Sequence, residues 1–350
     1  MISDEKIISE EQEDILFEHF HLDVDSGQEP MRVDKYMSTH LEKTSRNRIQ
    51  MAIKNGYVKV GEKTVKANYV VRPGEVIRFV MPYERRGVDV IPQDIPLNII
   101  YEDSSLLVLN KAAGMVVHPG HGHYDGTLVN ALAWHLGVRV AGDDERGGFL
   151  VHRIDKDTSG LLVISKTDEA QMSLTDQFYR HTIDRRYQAI VWGDMPSDSG
   201  TVDAPLERDP AERTRYRIAR EDGDGKRAVT HWKVLERFGF VTLVECKLET
   251  GRTHQIRVHM ASLGHPLFND EKYGGSEIRK GTIYAKYRQF IQNCFKICPR
   301  QALHAKTLGF EHPVSGKWMQ FDSALPSDME ALLDKWRKYA SNMPAPEEEE

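Results

Sequence analysis

Arg153 and Asp155 stand two residues apart in the stretch Val151-His152-Arg153-Ile154-Asp155-Lys156-Asp157-Thr158-Ser159-Gly160, which runs on into Leu161-Leu162-Val163-Ile164. The apolar run is short and lacks helical spacing, so it reads as a buried strand that follows a turn at the glycine. A carboxylate and a guanidinium at the mouth of such a strand sit on rigid support next to solvent. A reactive acid can be held there in fixed geometry. The same residue types also suit an ordinary solvated loop, and these positions alone do not separate the two readings.

Other reactive residue types are scattered along the chain. His118, His121 and His123 fall in a Gly-rich loop with no cysteine or carboxylate at ligand spacing. His254 and His259, five apart, lack the spacing of a helical zinc pair, so no metal is expected. Gly120-x-Gly122-x-x-x-Gly126 is not the dinucleotide fingerprint, and no phosphate-loop lysine pattern occurs. Cys246, Cys294 and Cys298 give neither a disulfide framework nor a zinc pattern, which suits a cytoplasmic protein with reduced thiols. Residues 203–227 are polar and rich in arginine (Arg208, Arg213, Arg215, Arg217, Arg220). Such a loop can hold RNA phosphates or simply be solvated.

A chain of 350 residues can build two domains. No apolar run is long enough to cross a bilayer, and the acidic start is unlike a secretory signal. The net charge of −6 argues against a nucleic-acid partner only as an average. Residues 1–30 carry ten acids and one lysine, and the chain ends in Glu347 to Glu350, whereas residues 31–83 carry eleven Lys and Arg against four acids. The expected organisation is an acidic extension over 1–30, a basic module over 31–83 and a linker over 84–91. A larger domain follows over 92–340, then an acidic tail over 341–350.

In the basic module, Val33, Tyr36, Met37 and Leu41 recur at helical spacing. A second helix capped by Ser45 buries Ile49 and Ile53 and turns Arg46, Gln50 and Lys54 outward. Short alternating strands follow around Val58, Val65 and Ile77. In the larger domain, strands are expected at 99–101, 106–109, 161–164, 185–193, 228–235 and 240–245, the last two as an antiparallel pair. Helices are expected through Leu128 and Leu132, after a cap at Asp168, after a cap at Thr253, within 276–299, and through Met329 to Trp336. On the helix after Thr253, Ile256, Met260 and Leu263 form the buried stripe and Arg257 lies off it.

The string His152-Arg153-Ile154-Asp155-x-x-Thr158-Ser159-Gly160-Leu161-Leu162-Val163 resembles the signature of RNA pseudouridine synthases of the RluA/RluD type. Asn110-Lys111-Ala112-Ala113-Gly114 is similar to that family's first motif, with Ala112 where proline is usual. Leu248 to His259 resembles another of its motifs, as do Arg300-Gln301-Ala302-Leu303-His304-Ala305 and Phe310-Glu311-His312-Pro313. Asn269-Asp270 departs from the usual glycine before aspartate, and 276–299 is a longer insertion than the family leads one to expect. Arg32-x-Asp34-Lys35, Ser45-Arg46-x-Arg48-Ile49-Gln50 and Gly56-x-Val58-x-Val60 resemble the S4 RNA-binding domain. Together the resemblances span roughly residues 31–339.

The resemblance implies an α+β protein: a small S4-like domain, then a catalytic domain built on a mixed, mainly antiparallel sheet flanked by helices. It implies Asp155 as the catalytic residue, paired with Arg257 and acting either by attack on C1′ or by removing the proton from C2′. Tyr187 would stack on a uracil that has left its own stack, with Ile256 packing near the base. Thr158 would line the substrate site, and Arg153 would fill the vacated space or grip a phosphate. Lys35, Arg46, Arg48 and Lys54 would meet the RNA backbone. Uridine isomerisation breaks N1–C1′ and rejoins the base through C5, with no net oxidation or hydrolysis, so no cofactor is expected. The implied substrate is large-subunit ribosomal RNA in a pre-ribosomal particle, with tRNA as competitor, and the implied state is a cytoplasmic monomer without membrane contact. Two other classes fit parts of the chain. A non-catalytic ribosome-assembly protein would share the S4-like module. A glycoside hydrolase would need a second carboxylate, for which Asp157 is the candidate.

Overall fold

The structure is a computed structural model that describes residues 17–41, 46–54, 56–81, 90–120, 123–138, 150–212, 214–220, 223, 225–282 and 284–342. The side chains of residues 17–20, 47, 48, 51 and 81 stand outside that description. The chain divides into two compact units, the first ending at Gly87 and the second beginning at Val88. Ser45, most of the expected linker and all but two residues of the acidic tail fall outside the described residues.

The first unit runs β1 (Phe17–Asp23), β2 (Met31–Arg32), α1 (Val33–His40), α2 (Arg46–Lys54), β3 (Val58–Val60), β4 (Lys63–Thr64), β5 (Val70–Val71) and β6 (Val76–Met81). Val33, Tyr36 and Met37 of α1 meet Ile49 and Ile53 of α2 over Val58, Val71 and Ile77, which closes a small core. The sheet order is β1-β6-β3-β4. Part of the expected acidic extension is therefore a strand of this sheet, since β1 pairs antiparallel with β6 along its length. A register shift between Glu18 and Phe20 breaks its period of two, which is why the alternation is not legible there. The helix pair is pinned by Asp34, which is fully buried and accepts from Arg32 (3.1 Å), Arg46 (3.0 Å) and Gln50 (2.8 Å). Burial pushes its pKa up, but the hydrogen bonds from Gln50, Arg32 and Arg46 outweigh that and hold it at about 2.

The second unit runs β7 (Ile99–Glu102), β8 (Leu106–Lys111), α3 (Leu128–Leu136), β9 (Ser159–Ser165), α4 (Asp168–Tyr179), β10 (Asp184–Trp192), β11 (Ser199–Asp203) and β12 (Leu206–Arg208). It continues with β13 (Tyr216–Ile218), β14 (Val229–Arg237), β15 (Val241–Leu248), α5 (Gln255–Ser262), α6 (Ala285–Ile297), β16 (Leu303–Glu311), β17 (Trp318–Asp322) and α7 (Ser327–Ala340). Nine strands form one sheet in the order β11-β14-β15-β10-β16-β9-β8-β7, with β17 also on β16. Its pairs are antiparallel except β16 with β9. The strands alternate between two faces, as period two requires. Leu107, Leu109, Leu162, Ile164, Tyr187 and Ala189 face α3 and α5, while Leu106, Val108, Leu161 and Val163 face α4. Ile190, Trp192 and Leu243 face α6 and α7.

Four local expectations are corrected. Thr167, not Asp168, caps α4, since its side chain accepts from Ala170 N and leaves Asp168 inside the first turn. Thr253 does not cap α5; His254 occupies that position in a left-handed conformation (φ 58°), and the Gln255 side chain accepts from Arg252 N and Thr250 Oγ1 instead. The stretch 203–227 is no plain loop, because β12 and β13 pair as a hairpin. Gly160 does not turn the chain. It lies within β9 at φ 119°, where a Cβ would sit 2.3 Å from the Ala305 carbonyl, so glycine lets β16 approach.

Candidate active site

Residues Asp155 to Thr158 form a turn immediately before β9, closed by Thr158 N donating to Asp155 O (3.1 Å). Two buried cations grip its carbonyls from behind. Lys111, at the end of β8, donates to Lys156 O (2.8 Å) and to Ala112 O and Met115 O (2.7 and 2.9 Å). Arg300 donates to Asp157 O (2.9 Å) while Asp328 holds its guanidinium at 2.7 Å. Burial pulls the Lys111 ammonium down to about 7, against the pull of Asp157 and Asp155, and three carbonyl acceptors take all of its N–H groups when it is protonated. The turn, and with it Asp155, is thus fixed by the sheet beneath.

Helix α5 delivers Arg257 opposite. The expectation that Arg257 lies off the buried stripe is corrected, because Gln255 to Met260 are all buried and the helix has no solvent face over that span, whereas Leu263, expected on the stripe, lies just past the helix end and is exposed. Arg257 Nη1 donates to Asp155 Oδ2 at 3.0 Å. The same guanidinium donates twice to Asp270, from Nε (2.7 Å) and Nη2 (2.8 Å). Asp270 is fully buried and also accepts from the backbone N of Lys272 and Tyr273. Asn269 before it adopts φ 57°, a left-handed conformation that asparagine tolerates better than most residues, so the departure from glycine keeps the turn. Burial works to lower the Arg257 pKa, but the Asp270 pair, then Asp155, outweighs it and raises the value, so the guanidinium stays charged. One cation therefore serves two carboxylates, one sealed and one, Asp155, with 21 % of its side chain exposed.

Asp155, Arg153, Thr158, Tyr187, Ile256 and Arg257 all line one cavity of about 670 Å³. The Thr158 hydroxyl is buried there with no hydrogen-bond partner among the described residues, and Arg153 is exposed at the rim. Burial raises the Tyr187 pKa, Arg185 offsets part of that and Asp155 adds to it, so the phenol stays neutral at pH 7. His254 Nε2 lies 3.9 Å from Asp155, but burial drops its pKa to about 4, so the ring is neutral and pairs with the Tyr273 hydroxyl. Asp157 does not line this cavity. Asp270, Lys111 and Arg300 carry no role in the sequence reading, since their partners lie 13, 45 and 143 positions away. A buried carboxylate on Arg257 leaves no local periodic trace.

In the first unit Lys35 and Lys54 are exposed on α1 and α2. Arg46, expected to point outward, keeps 52 % of its side chain exposed but spends its guanidinium on Asp34. The Arg48 side chain lies outside the described residues.

The chain matches known proteins in sequence and in fold. Residues 105–262 match the model of the RNA pseudouridylate synthase family, and residues 31–77 match that of the S4 domain. Ribosomal large subunit pseudouridine synthase D of Zymomonas mobilis is 45% identical over 306 residues, 86% of this chain and 92% of its own. An uncharacterized RNA pseudouridine synthase of Bacillus subtilis is 44% identical over 311 residues, 89% of this chain and 96% of its own. The solved structure of human RNA pseudouridylate synthase domain containing 1 is 25% identical, covering 73% of this chain and 98% of its own with a TM-score of 0.51. The chain is an S4-domain protein with a pseudouridine synthase domain, an isomerase of RNA uridines. It belongs to the RNA pseudouridylate synthase family.

Proposed function

We propose that this pseudouridine synthase acts on large-subunit ribosomal RNA, within a pre-ribosomal particle and as a monomer, with Asp155 as its catalytic carboxylate. The observation that carries the catalytic part is the Asp155–Arg257 pair at 3.0 Å in a cavity lined by Tyr187 and Ile256. The substrate part is supported by relatives at 41–45% identity named ribosomal large subunit pseudouridine synthase D.

The target uridine leaves its stack, at a cost of a few kcal/mol, and its uracil enters between Tyr187 and Ile256. Asp155 faces the ribose. As N1–C1′ breaks, positive charge grows on the sugar, and the carboxylate opposes it as carboxylates do in glycosyl transfer. The freed uracil turns, C5 bonds to C1′, the C5 proton is lost and N1 gains one, so the atoms balance. Arg257 keeps Asp155 aimed, and its own aim is set by Asp270. Tyr187, neutral, supplies a stacking face and a hydroxyl. The unpartnered Thr158 hydroxyl is placed to bond the nucleotide. Sequencing pseudouridines in cells that lack the protein tests the substrate: loss of sites in large-subunit RNA is expected, and loss confined to tRNA would overturn it.

A further inference from the structure

Two consecutive arginines follow Asp184 at the start of β10 and lead opposite lives. Arg186 points away from the cavity and pairs with Asp184 (3.1 Å) and Glu245 (3.4 Å). Arg185 turns inward with Tyr187, two residues on, and lines the cavity that holds Asp155. It is only 8 % exposed, yet makes no hydrogen bond or ion pair among the described residues, and its Nε has no partner. Its guanidinium lies over the Phe178 ring, 5.3 Å from Cζ. A buried cation without an anion costs several kcal/mol, so a fold does not keep one for stability alone.

Among the described residues its surroundings offer no free anion. His181 and Arg252 line the same cavity. Asp155 in that cavity is taken by Arg257 (3.0 Å), and Glu249, close to His181, is engaged by Arg227 (2.9 Å) and His231 (2.8 Å). His181 holds a left-handed backbone (φ 60°), the kind of outlier that gathers at binding sites. Gly251 leaves the room the guanidinium needs, because a Cβ there would lie 2.4 Å from Arg185 Nη1.

We propose that Arg185, with His181 and Arg252 at the rim, is a binding site for an RNA phosphodiester next to the uridine held over Asp155. Two strand steps separate Arg185 from Tyr187, about 7 Å, which suits the reach from a stacked uracil to its own phosphate. A guanidinium takes a phosphate through two parallel charged hydrogen bonds. Arrival of the anion then completes a charge the empty site leaves open, so the cavity accepts a nucleotide in RNA and discriminates against a free nucleoside.

This rests on the reading of Asp155 as the reaction centre, and the test separates the two. Full-length protein, wild type and Arg185→Met, is mixed with total RNA from cells lacking the protein, and binding and single-turnover conversion are followed across salt concentrations. Arg185→Met is expected to weaken half-saturation by about ten- to a hundredfold and to flatten the slope of log affinity against log salt by about one. The loss falls on half-saturation more than on the rate at saturation. Arg185→Lys recovers part of it, and Gly251→Ala, which displaces the guanidinium, reproduces part of it. The RNA-free Arg185→Met protein unfolds at a temperature no lower than wild type, because it sheds an uncompensated charge. An unchanged slope, or a lowered unfolding temperature with affinity intact, would overturn the phosphate site. Failure of the Asp155→Asn variant to stop conversion would overturn the reaction centre instead, and leaves the slope comparison readable.

Discussion

Replacing Asp270 by asparagine probes how the reaction centre is aimed. Asp270 is sealed from solvent and cannot touch RNA, yet it makes two of the three charged hydrogen bonds that Arg257 donates, at 2.7 and 2.8 Å. The amide keeps the shape, but its NH2 group meets a guanidinium donor and one charged acceptor is lost. Arg257 is then drawn toward Asp155, its remaining anion, and the carboxylate loses its fixed direction. A misplacement of about 1 Å costs about a hundredfold in rate, or about 2.7 kcal/mol of barrier. Breaking a buried pair also costs about 3 kcal/mol of stability. Single-turnover conversion at saturating RNA should therefore fall about a hundredfold, half-saturation should stay within about threefold, and the unfolding temperature should drop by several degrees. A normal rate at saturation in a protein that is merely less stable would refute the reasoning, since Asp270 would then hold the fold without aiming the chemistry.

Acid should weaken the fold through two largely buried imidazoles. Burial above all holds His152 at about 3 and His304 at about 4, below the unfolded value of about 6.5. The unfolded chain takes these protons first, so stability present above pH 6.5 is lost as pH falls toward 4, by about 2 kcal/mol per imidazole between pH 7 and 5. The urea midpoint at the two pH values checks this, and equal midpoints contradict it. On the first unit, Lys35→Ala with Lys54→Ala should flatten the salt dependence of RNA binding by about 1.5 in slope without lowering the unfolding temperature. An unchanged slope would mean that those exposed lysines meet no phosphate.

Much of this fold is legible in the sequence because it rests on local periodicity. The unbroken apolar runs Leu106–Leu109 and Leu161–Ile164 mark strands that pack on both faces, and the spacing of Met329, Leu332, Leu333 and Trp336 marks α7. Where the period is broken the reading fails, as at β1 with its bulge and at the short hairpin of β12 and β13. At α4 the sequence points to a cap one residue late, because Thr167 and Asp168 are both competent oxygen acceptors. The site divides in the same way. Asp155 and Tyr187 are named through strings of adjacent residues, whereas the clamps on them come from afar: Asp270 on Arg257, and Lys111 and Arg300 on the Asp155 turn. Arg46 shows the converse, since its helical face is correct while its charge is spent on Asp34, twelve residues back. No local pattern distinguishes Arg185 from Arg186. Only the sheet does, by giving one two carboxylates and the other none.

The most direct measurement is conversion by purified Asp155→Asn protein at saturating RNA, with RNA affinity measured on the same sample. The substitution keeps the side chain's shape and its contact with Arg257 while removing the negative charge that faces the ribose. The expected result is no pseudouridine over many wild-type half-times, with affinity within about threefold of wild type. Conversion at a rate comparable to wild type would contradict a reaction carried by this carboxylate.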